Sequence, residues 1–489
     1  MANNDSVLIP YVIQEGSFWY VAYKEKAPVP EIVVSSKGVA NGLSEEYNDG
    51  WDFGPDSYSP TSTSAIPYTQ TAGWQEAQVY ASQNKLKIQI KNGIYKCEVQ
   101  LVIGEDVTIE GENAGTVDSD INLVGGTPTG VVIQPTFSSG DAFVISPSGT
   151  YPIQVNMKNI AIDMSLMTSP NYGIHVEVGS STTWSMWQSK WDNIWVFNSS
   201  LDYHSFRIEN AILNQYGALY SIGGAAFSWV NTIDINSGNS VVEYIYAVNT
   251  YSTGTTTSNF IEFNGRSAGT GEINLIYIGF MQMNSPAGAG VGATYNSALY
   301  LNYFTEFKLQ VDDELYSNTT DYRINFDGDS SCYDGKMTVT GYLPSTVTSN
   351  TYSLIANSDY SPIEFIDQLS SAHYIRGAQN FIVYSSPFVT FTGLTSSYNM
   401  KIIQTYPPTI STPSVPASGS SSQNTNPYSV KVYINGGALT EIQITINGTA
   451  YTVYSNSTAS AVYEGFTVPV GASITLTYTT APTWEWLPE

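Results

Sequence analysis

Four acidic residues, Asp163, Asp192, Glu209 and Asp234, lie in or beside short apolar runs of the sequence. Two carboxyl groups held about 5–9 Å apart can hydrolyse a glycosidic bond, one as acid and the other as base or nucleophile. These residues are therefore the candidate catalytic groups. The chain contains 42 Asp and Glu residues, so some carboxylates meet this spacing by chance. We favour the interpretation that the four are solvated charges on strands.

A second acidic cluster, Asp327-Gly328-Asp329, is the candidate metal site. Carboxylate oxygens are the ligands that Ca²⁺ prefers. The cluster lacks the twelve-residue loop spacing of a known calcium motif, and Asp and Gly are also common in turns. A turn explains this segment as well as a bound Ca²⁺ does, and we expect no other cofactor.

Aromatic residues are the candidate ligand-binding groups. Trp184 and Trp187 lie in a Ser/Thr-rich stretch, where exposed indole rings could stack on sugars, and Trp191 and Trp195 follow closely. Packing inside or between structural repeats is the alternative that we favour for this group. In the last part of the chain, Tyr451 and Tyr454 are the corresponding candidates, because tyrosine both stacks and hydrogen-bonds.

Composition excludes several classes of protein. The 489 residues include only 17 Lys and Arg and carry a formal charge of −25, without a basic cluster, so nucleic acid is not an expected partner. Charged residues make up 12% of the chain, about half the usual share. A surface of neutral hydroxyl and amide groups would tolerate acid, and we take this as an indication of an acidic extracellular setting.

The first twenty residues lack the basic start and the long apolar run of a signal peptide. No stretch approaches 18 apolar residues, so membrane insertion is not expected. Two cysteines, Cys97 and Cys332, allow one bridge at most, and nothing in the sequence pairs them. Location in a virus particle or outside a cell, reached without a signal peptide, is consistent with these features.

The elements that must position the candidate residues are short strands. Residues 74–83 have the pattern of an amphipathic helix, and three alternating strands follow up to Glu112, separated by turns at Asn92-Gly93 and at residues 104–106. From Lys85 to about Ile403 the chain repeats runs of four to eight apolar-rich residues between Gly, Asn, Ser and Asp. No long helical pattern intervenes, so about 10–15 stacked coils are predicted.

Four segments are predicted. Residues 1–72 form an N-terminal arm, in which a β hairpin is expected, and a lead-in; residues 73–405 form the coils. Residues 406–427 are rich in Pro, Ser and Thr and are predicted to be a linker. Residues 428–489 are predicted to fold as a small antiparallel β-sandwich, with turns at residues 435–437 and at Asn447-Gly448.

The stretch from the helix at residue 74 to the strand ending at Glu112 resembles the first coil of the right-handed parallel β-helix of the pectate-lyase-like superfamily. This superfamily includes polysaccharide lyases, polygalacturonases and phage tailspikes. Residues 49–56, with the sequence DGWDFGPD, resemble its lead-in. The resemblance implies an all-β, right-handed parallel β-helix in which the helix at residues 74–83 caps the first coil. It does not fix an activity, because one fold hosts many functions.

The motifs of the superfamily's enzymes are not found. Its polygalacturonases use clustered aspartates and a Gly-His-Gly, whereas His175, His204 and His373 stand apart in this sequence. Its pectate lyases use Ca²⁺ and an arginine base, but Arg207, Arg266, Arg323 and Arg376 lie in no recognisable motif. We therefore expect no turnover of pectin-like or other acidic polysaccharides.

Residues 465–488 resemble the C-terminal modules of tail-fibre proteins from viruses of hyperthermophilic archaea. Together these features predict a structural fibre or spike component of a virus particle, of an archaeal virus, that attaches to host-surface glycans. A polysaccharide lyase or glycoside hydrolase acting in the β-helix groove is the alternative, and a cell-surface adhesin is a third. The expected partners are host glycans or a glycoprotein, other virion proteins and two further copies in a homotrimer.

Overall fold

Parallel strands stacked on one another form the main body of the protein. The structure is a computed structural model that describes residues 9–15, 18–24, 31–34, 70–116, 128–285, 292–327, 332–343, 347, 351–356, 361–392, 401–404, 412–426 and 429–488. Within them, eleven parallel strands form one sheet, sheet A. Its strands are Leu101–Ile103, Phe143–Ile145, Ile174–Val176, Phe206–Glu209, Phe227–Val230, Ile261–Asn264, Leu299–Asn302, Ile324–Phe326, Thr351–Ile355, His373–Gln379 and Val389–Thr392.

A second set of strands, sheet B, is also parallel except where Ala114–Thr116 pairs antiparallel with the start of Pro128–Pro135. Its other strands are Glu31–Val34, Lys87–Ile90, Gly93–Cys97, Val107–Gly111, Val155–Asp163, Lys190–Phe197, Gln215–Gly223, Ser237–Asn249, Ile273–Asn284, Phe304–Thr305, Lys308–Glu314, Lys336–Thr340, Ile363–Asp367, Phe381–Ser385 and Lys401–Gln404. Two short parallel pairs lie outside both sheets: Ser139–Gly140 with Ser169–Pro170, and Thr294–Tyr295 with Asn318–Thr319.

From Phe143 onward the chain runs alternately through sheet A and sheet B, except that Phe304–Thr305 and Lys308–Glu314 both belong to sheet B. At about 4.8 Å per strand, the eleven strands of sheet A span roughly 50 Å. The predicted fold class, an all-β chain built on a right-handed parallel β-helix, is confirmed, and the coils extend from Lys87 to Gln404 as expected.

Alternation along each strand fills the interior. In the sheet A strand Ile174–Val176, the first and third residues point inward, and the residue between them, His175, points outward. Inward side chains of successive coils form one continuous hydrophobic core. Because every coil buries its apolar residues on its neighbours, a single coil is not expected to be stable by itself.

A corner in sheet B is built by asparagines. Asn159 and Asn193 have φ of 55° and 53°, a left-handed conformation that asparagine tolerates better than most residues. The Asn193 amide donates to Asn159 Oδ1 at 2.9 Å, and the Asn159 amide donates to the Gly111 carbonyl at 3.1 Å. These two asparagines therefore stack on successive strands and bend the chain at the same point of each coil.

Replacing Gly111 by alanine is expected to destabilise the β-helix by about 1–3 kcal/mol, because core positions tolerate added atoms poorly. A Cβ at this position would lie 2.1 Å from the Asn159 carbonyl oxygen and 2.9 Å from a Val131 methyl. Gly149→Ala is the matched control, since its Cβ would meet nothing within 4 Å. Chemical unfolding of both variants measures the difference, and equal stability would contradict this account of the corner.

Helix α1, Trp74–Asn84, covers the first coil. Trp74, Ala77 and Ala81 are buried and belong to the main core, and the Trp74 ring packs edge-on against Tyr95 at 5.7 Å. The predicted capping helix is thus confirmed. In the described part of the chain no helix is long and apolar enough to cross a lipid bilayer.

The N-terminal segment contributes to both the arm and the coils. Ile9–Glu15 and Phe18–Lys24 pair antiparallel as the predicted hairpin. Glu31–Val34 instead pairs parallel with Lys87–Ile90, so this strand extends sheet B beyond the first coil. The backbone hydrogen-bonding edge of the first coil is therefore paired with the strand Glu31–Val34. Helix α1 covers the apolar interior of that coil instead.

Residues after the coils form a separate antiparallel sheet with its own core. Its strands are Ser421–Gln423, Val430–Ile446, Thr449–Val468, Ser473–Thr480 and Thr483–Pro488. Asn447 and Gly448, with φ of 49° and 77°, make the predicted tight hairpin turn. The five strands are antiparallel as expected, but they form one continuous sheet and not the two sheets of a sandwich.

The turn predicted at residues 435–437 is wrong. Gly436 and Gly437 have φ of 75° and 78°, but the strand continues through them from Val430 to Ile446 with shifts of register. Two glycines with positive φ can form either a β-bulge or a turn that reverses the chain. Here they form a bulge, which changes which residues of the strand point into the core.

The linker predicted at residues 406–427 is wrong for residues 412–426, which pack on this sheet. Trp484 Nε1 donates to the Pro413 carbonyl at 2.7 Å, and the Tyr478 hydroxyl donates to the Pro416 carbonyl at 2.7 Å. Ser421–Gln423 pairs with Ser473–Thr480. The proline-rich composition correctly indicated that this segment has no core of its own. It did not indicate that the segment packs on the core of the neighbouring sheet.

Cys97 and Cys332 are both buried, and no disulfide joins them.

Candidate functional site

The outward-facing residues of sheet A form a line of polar side chains. Strand register places the middle residues of successive strands side by side, and we call this set the polar row: His175, Arg207, Ser228, Glu262, Tyr300 and Asn325. The residues on either side of each member point into the core, and within the row Ser228, Glu262 and Asn325 are themselves buried.

One end of the polar row is a network of alternating charges. His175 Nδ1 lies 2.8 Å from Asp141 Oδ2, and His175 Nε2 lies 3.3 Å from Glu209 Oε1. Burial alone would lower the pKa of His175, but the hydrogen bonds to these two carboxylates outweigh it and raise the pKa to about 9. The imidazole is therefore a cation at neutral pH and holds three coils together.

Arg207 continues this network to the next coils. Its Nε donates to Glu209 Oε1 at 2.9 Å, and its Nη1 lies 3.9 Å from Glu262 Oε1. Glu262 also accepts from Ser228 Oγ at 2.7 Å and from Asn259 Nδ2 at 2.9 Å. Although burial opposes ionisation, these donors and cations lower the pKa of both Glu209 and Glu262. Each charge is thus matched by a neighbour, and the network is rigid.

Aromatic rings cover the charged end. The Tyr172 ring lies 4.8 Å from the His175 ring and 5.3 Å from Arg207 Cζ, and Tyr203 packs edge-on against Tyr172 at 5.3 Å. His204 lies beneath, fully enclosed, and its Nε2 is 2.9 Å from the Asn259 carbonyl oxygen. Burial lowers the pKa of His204.

The other end of the polar row opens into a groove of about 600 Å³, which we call the sheet A groove. Amide side chains are a main component of its lining and are fixed by one another: Asn302 Nδ2, at the end of a neighbouring strand, donates to Asn264 Oδ1 at 2.8 Å, and Asn296 Nδ2 donates to Asn259 Oδ1 at 3.2 Å. The full lining is Asn259, Asn264, Asn296, Tyr300, Asp321, Tyr322, Asn325, Phe326, Asp327, Ser353 and Ile355.

Two carboxylates in this groove are held by neutral donors. The Tyr300 hydroxyl donates to Asp327 Oδ2 at 2.6 Å, and Asn325 Nδ2 donates to Asp321 Oδ2 at 2.7 Å. No Lys, Arg or His is among the described lining residues, although the Arg376 guanidinium lies over the Tyr322 ring at 5.9 Å. The arrangement offers hydrogen-bond acceptors, amide donors and tyrosine rings to an uncharged, hydroxyl-rich ligand.

The four predicted catalytic carboxylates do not form one site. Glu209 belongs to the network on sheet A, whereas Asp163 ends a strand of sheet B, buried and bonded to Gln134 and Asn198. Asp192 is exposed, 3.6 Å from Lys158, and Asp234 is exposed, 3.2 Å from Arg266. Each of the four thus makes a different structural contact, and a catalytic pair among them stays a prediction.

The predicted ligand-binding aromatics lie outside the sheet A groove. Trp184 is half-buried, with Nε1 donating to the Asn236 carbonyl at 2.8 Å, and the Trp187 side chain is 41% exposed. In the C-terminal sheet Tyr451 is 53% exposed, and Tyr454 is half-buried with its hydroxyl 2.6 Å from Ser460 Oγ. Trp187 and Tyr451 are the most accessible of the four, and a ligand at either stays a prediction.

Of the predicted calcium ligands, Asp327 is bonded to Tyr300, and Asp329 lies outside the described residues. Elsewhere in the described ranges, no group of three or more His, Cys, Asp or Glu side chains is arranged to hold a metal ion. A bound Ca²⁺ stays a prediction.

Sequence reasoning missed Asp141, His175, Glu262 and Asp321. The histidines stand apart in the sequence, but in the structure His175 is bonded to two carboxylates, and His373 Nε2 lies 3.1 Å from Asp367 Oδ2 in the interior. One signal was present: a polar residue between two apolar ones recurs in Ile-His-Val, Phe-Arg-Ile and Ile-Glu-Phe, which begin at Ile174, Phe206 and Ile261. Such triplets mark outward positions on strands with buried neighbours.

Comparison with known proteins gives distant structural similarities only. No family model matches the sequence, and no curated protein matches it. Among solved structures, the chain is similar to the tailspike protein of E. coli bacteriophage HK620 in complex with a pentasaccharide, with 12% identity over 91% of this chain and 93% of that chain and a TM-score of 0.34. A variant of that tailspike has 10% identity over 96% of this chain and 97% of its own, with a TM-score of 0.30. A second variant, in complex with a pentasaccharide, has 11% identity over 91% of this chain and 93% of its own, also with a TM-score of 0.30. Similarity at this level assigns neither an activity nor a ligand to the chain.

Proposed function

We propose that the protein is a fibre or spike component of a virus particle that attaches to the host by binding a neutral glycan in the sheet A groove. The observation that carries this proposal is the lining of that groove, which combines amides, tyrosines and carboxylates without a cationic side chain among its described residues. Sugars present hydroxyl groups around an apolar ring face, and this set of side chains matches both features.

The charge of the groove selects among glycans. Asp321 is exposed, and one oxygen of its carboxylate is bonded to Asn325, so the other oxygen is available to a sugar hydroxyl. An anionic sugar at this position would meet the carboxylates of both Asp321 and Asp327, and like charges at short range repel. The groove therefore favours neutral sugars.

Assembly on a particle is the second part of the proposal. A rigid rod of about 50 Å presents its groove along the side, and several copies would gain avidity on a surface that carries many glycans. We propose a homotrimer that joins other virion proteins, in an archaeal virus, as the resemblance of residues 465–488 implies. The exposed Tyr451 leaves the C-terminal sheet as the competing place for receptor contact.

Two substitutions at the groove, Asp321→Asn and Tyr322→Ala, are expected to weaken binding to host cells and to their isolated surface glycans by about tenfold each, since each removes a direct sugar contact. Both side chains are at least partly accessible, so the fold is retained. The matched controls are Asp192→Asn and Tyr151→Ala, which alter exposed residues outside the groove and should bind as the unaltered protein does. Binding of labelled protein to cells and to immobilised glycans provides the measurement.

Unchanged binding by both groove variants would refute the groove as the receptor site. If deletion of residues 412–488 abolished attachment in that case, and the isolated segment 412–488 retained it, the C-terminal sheet would be the receptor-binding part. Failure of the deletion variant to enter particles, with cell binding intact, would show that this sheet serves assembly instead.

A further inference from the structure

A second groove lies on the outer face of sheet B, away from the polar row. Its volume is about 370 Å³, and we call it the lysine groove. The residues that matter for its chemistry are Val241, Glu243, Tyr277, Gln310, Lys308 and Lys336.

Two lysines are direct neighbours in this groove. Lys308 and Lys336 are register partners on adjacent parallel strands, so their side chains leave the same face about 4.8 Å apart at the backbone. Like charges placed side by side on a sheet destabilise it. Lys336 is bonded to Glu364 at 2.9 Å, but Lys308 has no ion pair with any carboxylate in the described part of the chain. Lys308 therefore contributes a positive charge that no ion pair compensates, although the Glu243 carboxylate also lines the groove.

This charge is unusual for the molecule. The chain has a formal charge of −25 and only 17 Lys and Arg residues, and Lys87, Lys91 and Lys158 each lie within ion-pair distance of a carboxylate. A long polyanion would be repelled by such a protein as a whole. A single anionic group within an otherwise neutral chain would be attracted to the lysine groove locally, because screening confines the interaction to about 8–10 Å.

The same row supplies an apolar surface. Val241, Tyr277 and Lys308 are register partners on three successive strands, and the Val241 and Tyr277 side chains are each 46% exposed. The register of the middle strand shifts between Ile278 and Met281, and Gly279 lies within that bulge. A Cβ on Gly279 would lie 2.8 Å from the Glu243 carbonyl oxygen, so glycine permits the close approach of the two strands that line the groove.

We propose that the lysine groove binds a carboxylate-bearing sugar residue of an acidic glycan. The sugar carboxylate lies between the ammonium groups of Lys308 and Lys336, and its ring packs on Tyr277. This site goes beyond the neutral-glycan groove of sheet A and does not depend on it, because no residue is shared between the two linings.

The test uses the full-length protein and a glucuronate-containing tetrasaccharide of hyaluronan, with the same tetrasaccharide reduced at its carboxyl groups as the matched ligand. Titration calorimetry should show binding of the acidic form and about tenfold weaker binding of the reduced form. The double variant Lys308→Gln with Lys336→Gln should lose about tenfold in affinity for the acidic form, and Tyr277→Ala about fivefold, since exposed ion pairs and ring contacts contribute modestly. Lys158→Gln, on the same sheet but outside the groove, should bind as the unaltered protein does.

Three results would overturn the proposal: equal binding of the acidic and reduced tetrasaccharides, unchanged affinity in the lysine double variant, or no binding at millimolar ligand. Inorganic sulfate separates the two parts of the site. Sulfate that binds as tightly as the tetrasaccharide would show an anion site without a sugar contact and would also overturn it, whereas weaker sulfate binding that is unaffected by Tyr277→Ala supports it.

Discussion

Replacing Arg323 by methionine is expected to lower the free energy of unfolding of the β-helix by about 3–5 kcal/mol, the usual effect of breaking a buried ion pair. The side chains of Arg323 and Asp313 are both 0% exposed, and they form two hydrogen bonds, of 2.7 Å from Nε and 2.6 Å from Nη2. Arg323 also donates to the carbonyls of Ser317 and Leu315. Removing the guanidinium leaves a buried carboxylate and two carbonyls without their donor.

Denaturant unfolding of the full chain, followed by tryptophan fluorescence and circular dichroism, measures this loss. Arg266→Met is the matched control, because its ion pair with Asp234 is half exposed and is expected to contribute no more than about 1 kcal/mol. A double variant, Arg323→Met with Asp313→Leu, should lose less than Arg323→Met alone, since it removes both charges together. Equal losses in the Arg323 and Arg266 variants would contradict the account of a desolvated pair.

Replacing His175 by glutamine should cost stability at neutral pH and little at high pH. In the folded protein the pKa of His175 is raised from 6.5 to about 9, because the hydrogen bonds to Asp141 and Glu209 outweigh the effect of burial. A raised folded-state pKa stabilises the fold fully below about pH 6.5, and the contribution is lost as the pH rises through about 9. A shift of this size corresponds to at most about 3 kcal/mol, and residual solvent screening reduces it.

The measurement compares unfolding free energies of the unaltered protein and His175→Gln between pH 6 and pH 10, with Leu166→Ala as an exposed, non-titrating control. The difference between the first two should shrink with rising pH, while the control difference stays constant. A difference that is independent of pH would show that His175 contributes by packing and not by its charge. At the acid end both proteins should lose stability, because the pKa values of Glu209 and Glu262 are lowered in the fold.

Sequence patterns predicted the coils because each coil repeats a local signal. Short alternating runs, Asn or Gly at corners and the helix ahead of Lys87 are all local features, and they located the first and last coils correctly. The same reasoning failed at Gly436 and Gly437, since positive φ permits either a bulge or a turn and only the pairing of distant strands decides between them.

The polar row was not predictable from local signals. Register partners in sheet A are separated by 21 residues between Phe206 and Phe227 but by 38 residues between Ile261 and Leu299. Coils of unequal length give the sequence no fixed period, so nothing aligns His175 with Arg207 or Glu262 with Tyr300 before the strands are paired. The candidate carboxylates were therefore chosen from single strands, and three of the four serve other contacts.

The buried cluster around Arg323 has a mechanical consequence. In a stack of parallel coils the backbone hydrogen bonds between strands run along the rod, so tension along its length is carried by the ladder at each coil boundary. Within sheet A the shortest ladder joins Ile324–Phe326 to Thr351–Ile355, with two residue pairs. The Tyr352 hydroxyl crosses this boundary to Asp313 at 3.3 Å, and the Arg323 backbone N–H donates to the Thr351 carbonyl at 2.8 Å. Under load, the interior polar cluster therefore reinforces the rod where the sheet A ladder is shortest, and the rod should resist rupture there only while that cluster is intact.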